Sequence, residues 1–136
     1  MGQPMNFRAH DANNDVTVIA SAARTATVNS EDQENRGARG VRLFLNVSAA
    51  SGTTPTLDVK VQVKDPISDA FIDLPGAAFA QKTSASGLDE LTIYPGVTVA
   101  ANRAVSQPLS QRWRVVATIG GTTPSFTFSV AACYIV

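Results

Sequence analysis

Histidine and cysteine are nearly missing: the 136 residues hold one of each, His10 and Cys133. A single cysteine excludes an intrachain disulfide, so the fold has to stand on packing, and a reducing compartment is its natural setting. One histidine and one cysteine leave zinc without a ligand set, and any imidazole-based triad or acid–base pair would rest on His10 alone. Neither sign of charge is in excess, with 11 basic and 11 acidic residues. That balance removes the bulk positive field that nucleic acid or an anionic membrane would call for. No apolar run approaches bilayer-spanning length, and the opening MGQPMNFRAHDANND lacks the basic start and apolar stretch of a secretory signal. The expectation is a soluble chain with neither a membrane nor a nucleic-acid partner. Aromatic residues are also few, six Phe, two Tyr and one Trp, and most stand at core-facing strand positions.

What the sequence does hold is alternation. The length suits one ordinary domain, able to bury about 68% of the surface its extended chain exposes. Residues two apart share one face of a strand, whereas a helix needs apolar residues three and four apart, and the period here is two. Val41, Leu43, Leu45 and Val47 alternate with Arg42, Phe44, Asn46 and Ser48. Leu57, Val59, Val61 and Val63 alternate with Asp58, Lys60, Gln62 and Lys64. Trp113, Val115, Ala117 and Ile119 continue the pattern, followed by Phe126, Phe128, Val130, Ala132 and Tyr134. Weaker strand signals lie at 16–20, 25–28, 71–74, 91–94 and around Val105. The reading is an all-β fold, a two-sheet antiparallel sandwich of jelly-roll or immunoglobulin-like type with about eight short strands. A flexible polar arm is expected over residues 1–15 and the sandwich over 16–136, with exposed loops at 30–40 and 82–87.

Two stretches begin alike, GTTPTLDVKVQV from Gly52 and GTTPSFTFSV from Gly121. Each follows one alternating run and leads into another. Glycine allows turn geometry, and proline, which cannot donate to a ladder, belongs at the first position of an outgoing strand. Both copies are therefore expected to be hairpins. An ancient duplication and independent choice from a short menu of turn residues both account for the repetition. Past Val130 both strand faces become apolar, because Ala131, Cys133 and Ile135 replace polar residues; such a strand is central, or is covered by another subunit. Arg42, Lys60 and Lys64 are expected to blunt exposed sheet edges.

Residues that could carry chemistry do not converge. Cys133 lies in an apolar strand and reads as a small core residue. Asp11, Asn13 and Asp15 imitate the start of a calcium loop, but Val16 stands where glycine is needed and Ala22 at the closing acidic position. Glu31, Asp32 and Glu34 read as a solvated charged loop, the alternative being a cation site at an oligomer axis. Arg112 and Arg114 point away from Trp113 on a strand, so the trio forms no stacking platform. Asp89 and Glu90 are adjacent and face opposite ways, unlike the carboxylate pair of a glycosidase. No catalytic, cofactor-binding or metal-binding residue is assigned, and no cofactor is expected.

The strings LDVKVQVKDPISDAFIDLPGAAFA, LTIYPGV and VSQPLSQRWRVVATIGGTTPSFTFSVAACYIV resemble those of small structural proteins of tailed bacteriophages, over residues 40–136. The resemblance implies a non-enzymatic virion protein made in the host bacterial cytoplasm, present in many copies and decorating or cementing the capsid. It implies the major capsid protein or other virion proteins as partners, and a homo-oligomer such as a trimer. A tail or baseplate part, a carbohydrate-binding sandwich on the virion, and an enzyme completed by a partner are the competing readings.

Overall fold

A computed structural model describes residues 14–136 of the chain. The eight strands are β1 (Asn14–Arg24), β2 (Val28–Asn29), β3 (Gln33–Glu34), β4 (Gly40–Lys64), β5 (Phe71–Ala78), β6 (Gly87–Ile93), β7 (Ala104–Val105) and β8 (Arg112–Ile135). The fold is all-β, with no helix among the described residues. Hydrogen bonds join the strands into one mixed sheet in the order β1-β8-β4-β6-β7, with β2 and β3 on β8 and β5 on β4. The pairings are antiparallel except β6 with β7, which is parallel.

The expected number of strands is found, but two are not short: β4 and β8 run for 25 and 24 residues. The two GTTP motifs lie inside them, which corrects the hairpin expectation. Residues 41–47 pair with β6 on one side and with 128–134 of β8 on the other, while residues 57–63 pair with 113–119. Neither motif folds its own flanks together. Instead the two meet, through Ser51 opposite Ser125, Thr53 opposite Thr122 and Thr56 opposite Gly120. Pro55 and Pro124 fall where the ladder lapses, so their missing N–H groups cost no ladder bond.

Both motifs leave regular strand geometry in the same way. Gly52 and Gly121 have φ of 114° and 111°, and Thr54 and Thr123 both have φ of 46°, an outlying value for a β-branched residue. A Cβ on Gly52 would sit 2.7 Å from the Thr123 carbonyl oxygen and 2.9 Å from Pro124 Cα. One on Gly121 would sit 2.7 Å from the Thr54 oxygen and 2.9 Å from Pro55 Cα. Each glycine thus makes room for the other motif's Thr-Pro, and the repetition is a reciprocal crossing with local two-fold character.

Alternation along both halves of these strands feeds a single core. Val41, Leu43, Leu45 and Val47 join Leu57, Val59 and Val61, and Trp113, Val115 and Ala117 join Phe126, Phe128, Val130 and Ala132. Fully burying each Val, Leu or Phe among them is worth about 1.5–3 kcal/mol against leaving it in water. Trp113 Nε1 donates to Tyr134 Oη at 3.2 Å, and that hydroxyl donates to the Glu34 carbonyl at 3.3 Å, so the deepest polar atoms of the aromatic pair are matched.

Several local expectations change. Of the arm expected over 1–15, residues 1–13 lie outside the described part, and Asn14 and Asp15 belong to β1, opposite Tyr134 and Cys133. The loop at 30–40 is not wholly exposed. It contains β3, and Asn35 is buried with Nδ2 donating to the Ala38 and Leu109 carbonyls while Oδ1 accepts from the Ala38 N–H. Arg42, Lys60 and Lys64 do not guard edges, because all three stand on β4, a strand flanked by β8 and by β5 or β6. The edge strand β1 is broken instead by register shifts at Thr17/Ile19 and Ile19/Ala22, which spoil it as a template for further pairing.

Candidate docking surfaces

The residues singled out for chemistry are dispersed. His10, Asp11 and Asn13 lie outside the described residues. Asp15 is opposite Cys133 across the β1–β8 ladder; hydrogen bonding to Asp15, then burial, pushes the Cys133 thiol up, which disfavours the nucleophilic thiolate. Cys133 is only half-buried, with Ala131 and Ile135 beside it. These three sit on the face of β8 turned away from the core, and β8 is central, with β1 and β4 on its two sides.

The acidic loop is spoken for by cations. Asp32 accepts from Lys64 Nζ at 2.7 Å, and Glu34 accepts from Arg36 at 2.8 Å with Arg112 3.9 Å away. No group of three or more His, Cys, Asp or Glu residues is arranged to hold a metal ion among the described residues. Asp89 and Glu90 diverge as strand parity requires, and Asp89 pairs with Lys82 Nζ at 2.6 Å, the two side chains 19% and 12% exposed. Burial acts to raise the Asp89 carboxyl, but hydrogen bonds from Lys82 and the Glu90 N–H outweigh it, so the group stays below the usual carboxylate range. Trp113 is in the core, whereas Arg114 lies outside it, its guanidinium 3.9 Å above the Phe71 ring and Nε donating to Gln62 at 2.9 Å.

Clefts open on the surface of the described residues. One of about 250 Å³ lies beside Tyr134, walled by Val16, Glu34, Arg36, Ala38 and Val136. Its phenol is already committed to Trp113 and the Glu34 carbonyl, and burial pushes it up. A second, about 340 Å³, is mostly apolar and lined by Pro75, Gly76, Val99, Ala100, Ala104 and Val105. A third, about 270 Å³, lies between Phe44, Leu88, Asp89, Glu90 and Arg103. None of the three brings a nucleophile together with a base.

Exposed apolar side chains are the more telling feature. Ile67 is 92% exposed, Leu88 69%, Val99 68% and Ile72 64%. Leu88 belongs with Phe44 at the third cleft, but the other three gather around β5. Ile67 is in the turn leading into β5, Ile72 is on that strand, and Val99 lines the same cleft as Pro75 and Gly76 of that strand. Sequence reading missed this grouping, because the signal is exposure, and apolar spacing alone marks isoleucine and valine as core. No protein-family model matches the chain, and no curated protein matches it.

Proposed function

We propose that the chain is a non-enzymatic structural protein of a tailed-phage particle, decorating or cementing the capsid through surface contact. In this reading the sheet closes as a two-layer sandwich. One wall holds β1, β6, β7 and residues 40–50 and 126–135. The other holds β2, β3, β5 and residues 56–64 and 112–119. A single core cluster drawing side chains from both halves of β4 and β8 supports that closure. The resemblance of residues 40–136 to phage structural proteins supports the placement in a virion, after synthesis in the host cytoplasm.

The observation that carries the reading is the set of exposed apolar side chains, Ile67, Ile72, Leu88 and Val99, borne by a tightly bonded β-body. A rigid surface loses little conformational entropy on docking, so modest apolar contacts suffice when many copies act together. The partners proposed are the major capsid protein and further copies of this chain. Mass spectrometry and three-dimensional reconstruction of purified particles test this. Density for the sandwich repeated over the head shell is expected. Density confined to the tail would favour the baseplate alternative, and absence of the chain from purified particles would overturn the proposal.

A further inference from the structure

We infer that the cleft over β4 and β6 binds one neutral pyranose ring, with the Glu90 carboxylate and the Arg103 guanidinium on its hydroxyls and the Phe44 ring against its C–H face. This goes beyond the assembly reading and does not depend on it.

Ladder register puts the parts side by side. Phe44 and Glu90 are direct cross-strand partners of β4 and β6, with Asn46 opposite Leu88 as the next pair on that face. Partners of this kind hold their Cβ atoms about 4.5–5.5 Å apart. Arg103 comes in from the other side of β6. Its carbonyl accepts from the Thr92 N–H at 2.9 Å and its own N–H donates to the Ala100 carbonyl at 3.0 Å, which fixes its backbone beside β6. The cleft that Phe44, Leu88, Glu90 and Arg103 line together with Asp89 measures about 270 Å³. Ligand pockets start at about 300 Å³, so the space suits one sugar ring and not a larger ligand.

The polar groups of this cleft are unspent. Asp89 is taken by Lys82 at 2.6 Å, and Arg103 draws on Asp89 only through space. Among the described residues, neither the Glu90 carboxylate nor the Arg103 guanidinium makes a hydrogen bond or an ion pair. The cleft thus offers an acceptor-only group and a donor-only group together. A sugar hydroxyl donates and accepts at once, so one vicinal diol satisfies both, the guanidinium fork taking two adjacent oxygens. The carboxylates of Asp89 and Glu90 offset Lys82 and Arg103, which leaves no net charge to favour an anion or a cation over a neutral polyol. Half-buried Phe44 and exposed Leu88 supply the apolar part, which the C–H face of a pyranose covers and a small ion does not.

Nuclear magnetic resonance titration of the isotope-labelled full chain with D-glucose, D-galactose, D-mannose and N-acetyl-D-glucosamine, each to about 50 mM, tests the inference. That range covers the millimolar affinity expected of so small a contact. At least one of the sugars should move the amides of Phe44, Leu88, Glu90 and Arg103 together and saturably. Glu90→Ala and Arg103→Ala should each weaken that binding roughly 10-fold, as loss of a hydrogen bond to a charged group does, whereas Ile67→Ala should leave it unchanged. Arg103 is exposed, so its variant keeps the test decisive should Glu90→Ala fail to fold by circular dichroism. Silence of all the sugars, saturable shifts confined to other residues, or binding indifferent to the folded variants would overturn the proposal. So would shifts of these amides with calcium or phosphate but with none of the sugars.

Discussion

Replacing Gly52 by alanine probes the crossing of β4 and β8 with an internal control. Gly37 has φ of 113°, nearly the same as the 114° of Gly52, yet a Cβ added there meets nothing within 4 Å. Alanine at Gly37 therefore pays only for its backbone conformation, about 1–2 kcal/mol, partly offset by a stiffer unfolded chain. At Gly52 the same conformational cost is joined by overlap with the Thr123 and Thr122 carbonyl oxygens and Pro124 Cα at 2.7–3.0 Å. All three are main-chain atoms, which cannot swing aside as a side-chain tip would. Overpacking of that kind costs typically about 1–3 kcal/mol, so Gly52→Ala should destabilise by about 3 kcal/mol and Gly37→Ala by about 1. Gly121→Ala should match Gly52→Ala, since its neighbours are the equivalent atoms of the other motif. The double variant should cost less than the sum, because a crossing prised open for one methyl has already made space for the second. Urea unfolding gives these differences directly for a domain of this size. Equal losses at Gly37 and Gly52, or full additivity at Gly52 and Gly121, would refute the reciprocal packing.

Three further outcomes are expected. Trp113→Phe and Tyr134→Phe, combined in a double-mutant cycle by chemical denaturation, should show a coupling of about 1 kcal/mol from the Nε1–Oη hydrogen bond; no coupling would show that bond to be inert. Lys82→Ala should cost about 2 kcal/mol at pH 7, because it strands the mostly buried Asp89 carboxylate. Asp89 is held below its unfolded value, so the pair's contribution is present above about pH 4 and fades as pH falls through the folded value. The gap between wild type and Lys82→Ala should thus narrow as pH falls below about 4, and a gap that stays as wide at low pH as at pH 7 would contradict the assignment. Arg114→Ala, which removes the guanidinium over Phe71, should lower stability by about 0.5–1 kcal/mol and speed amide hydrogen exchange in β5 more than in β6; equal acceleration in both would argue against a local role.

The core was legible because period-two alternation is a direct record of which face meets water. Leu43, Leu57, Val115 and Phe128 are interior as their spacing predicts. The opposition of Trp113 to its flanking arginines followed from the same parity. The GTTP motifs misled because Gly, Thr and Pro suit a hairpin and a strand crossing equally well, and only the partner far along the chain separates the two. Asn35 was unreadable for a related reason: its buried amide is satisfied partly by the Leu109 carbonyl, which no local pattern brings near. The exposure of Ile67 was invisible because a lone isoleucine between turn residues carries no periodicity.

The hub position of β8 also has a cost during synthesis. β8 is the ladder partner of β1, β2, β3 and β4, and it is the last described strand to leave the ribosome. Until then the nascent β4 has its apolar alternation exposed and only β5 and β6 to lean on. Folding dominated by such distant pairings is slow and prone to aggregation, so expression yield should respond strongly to temperature and to chaperone supply.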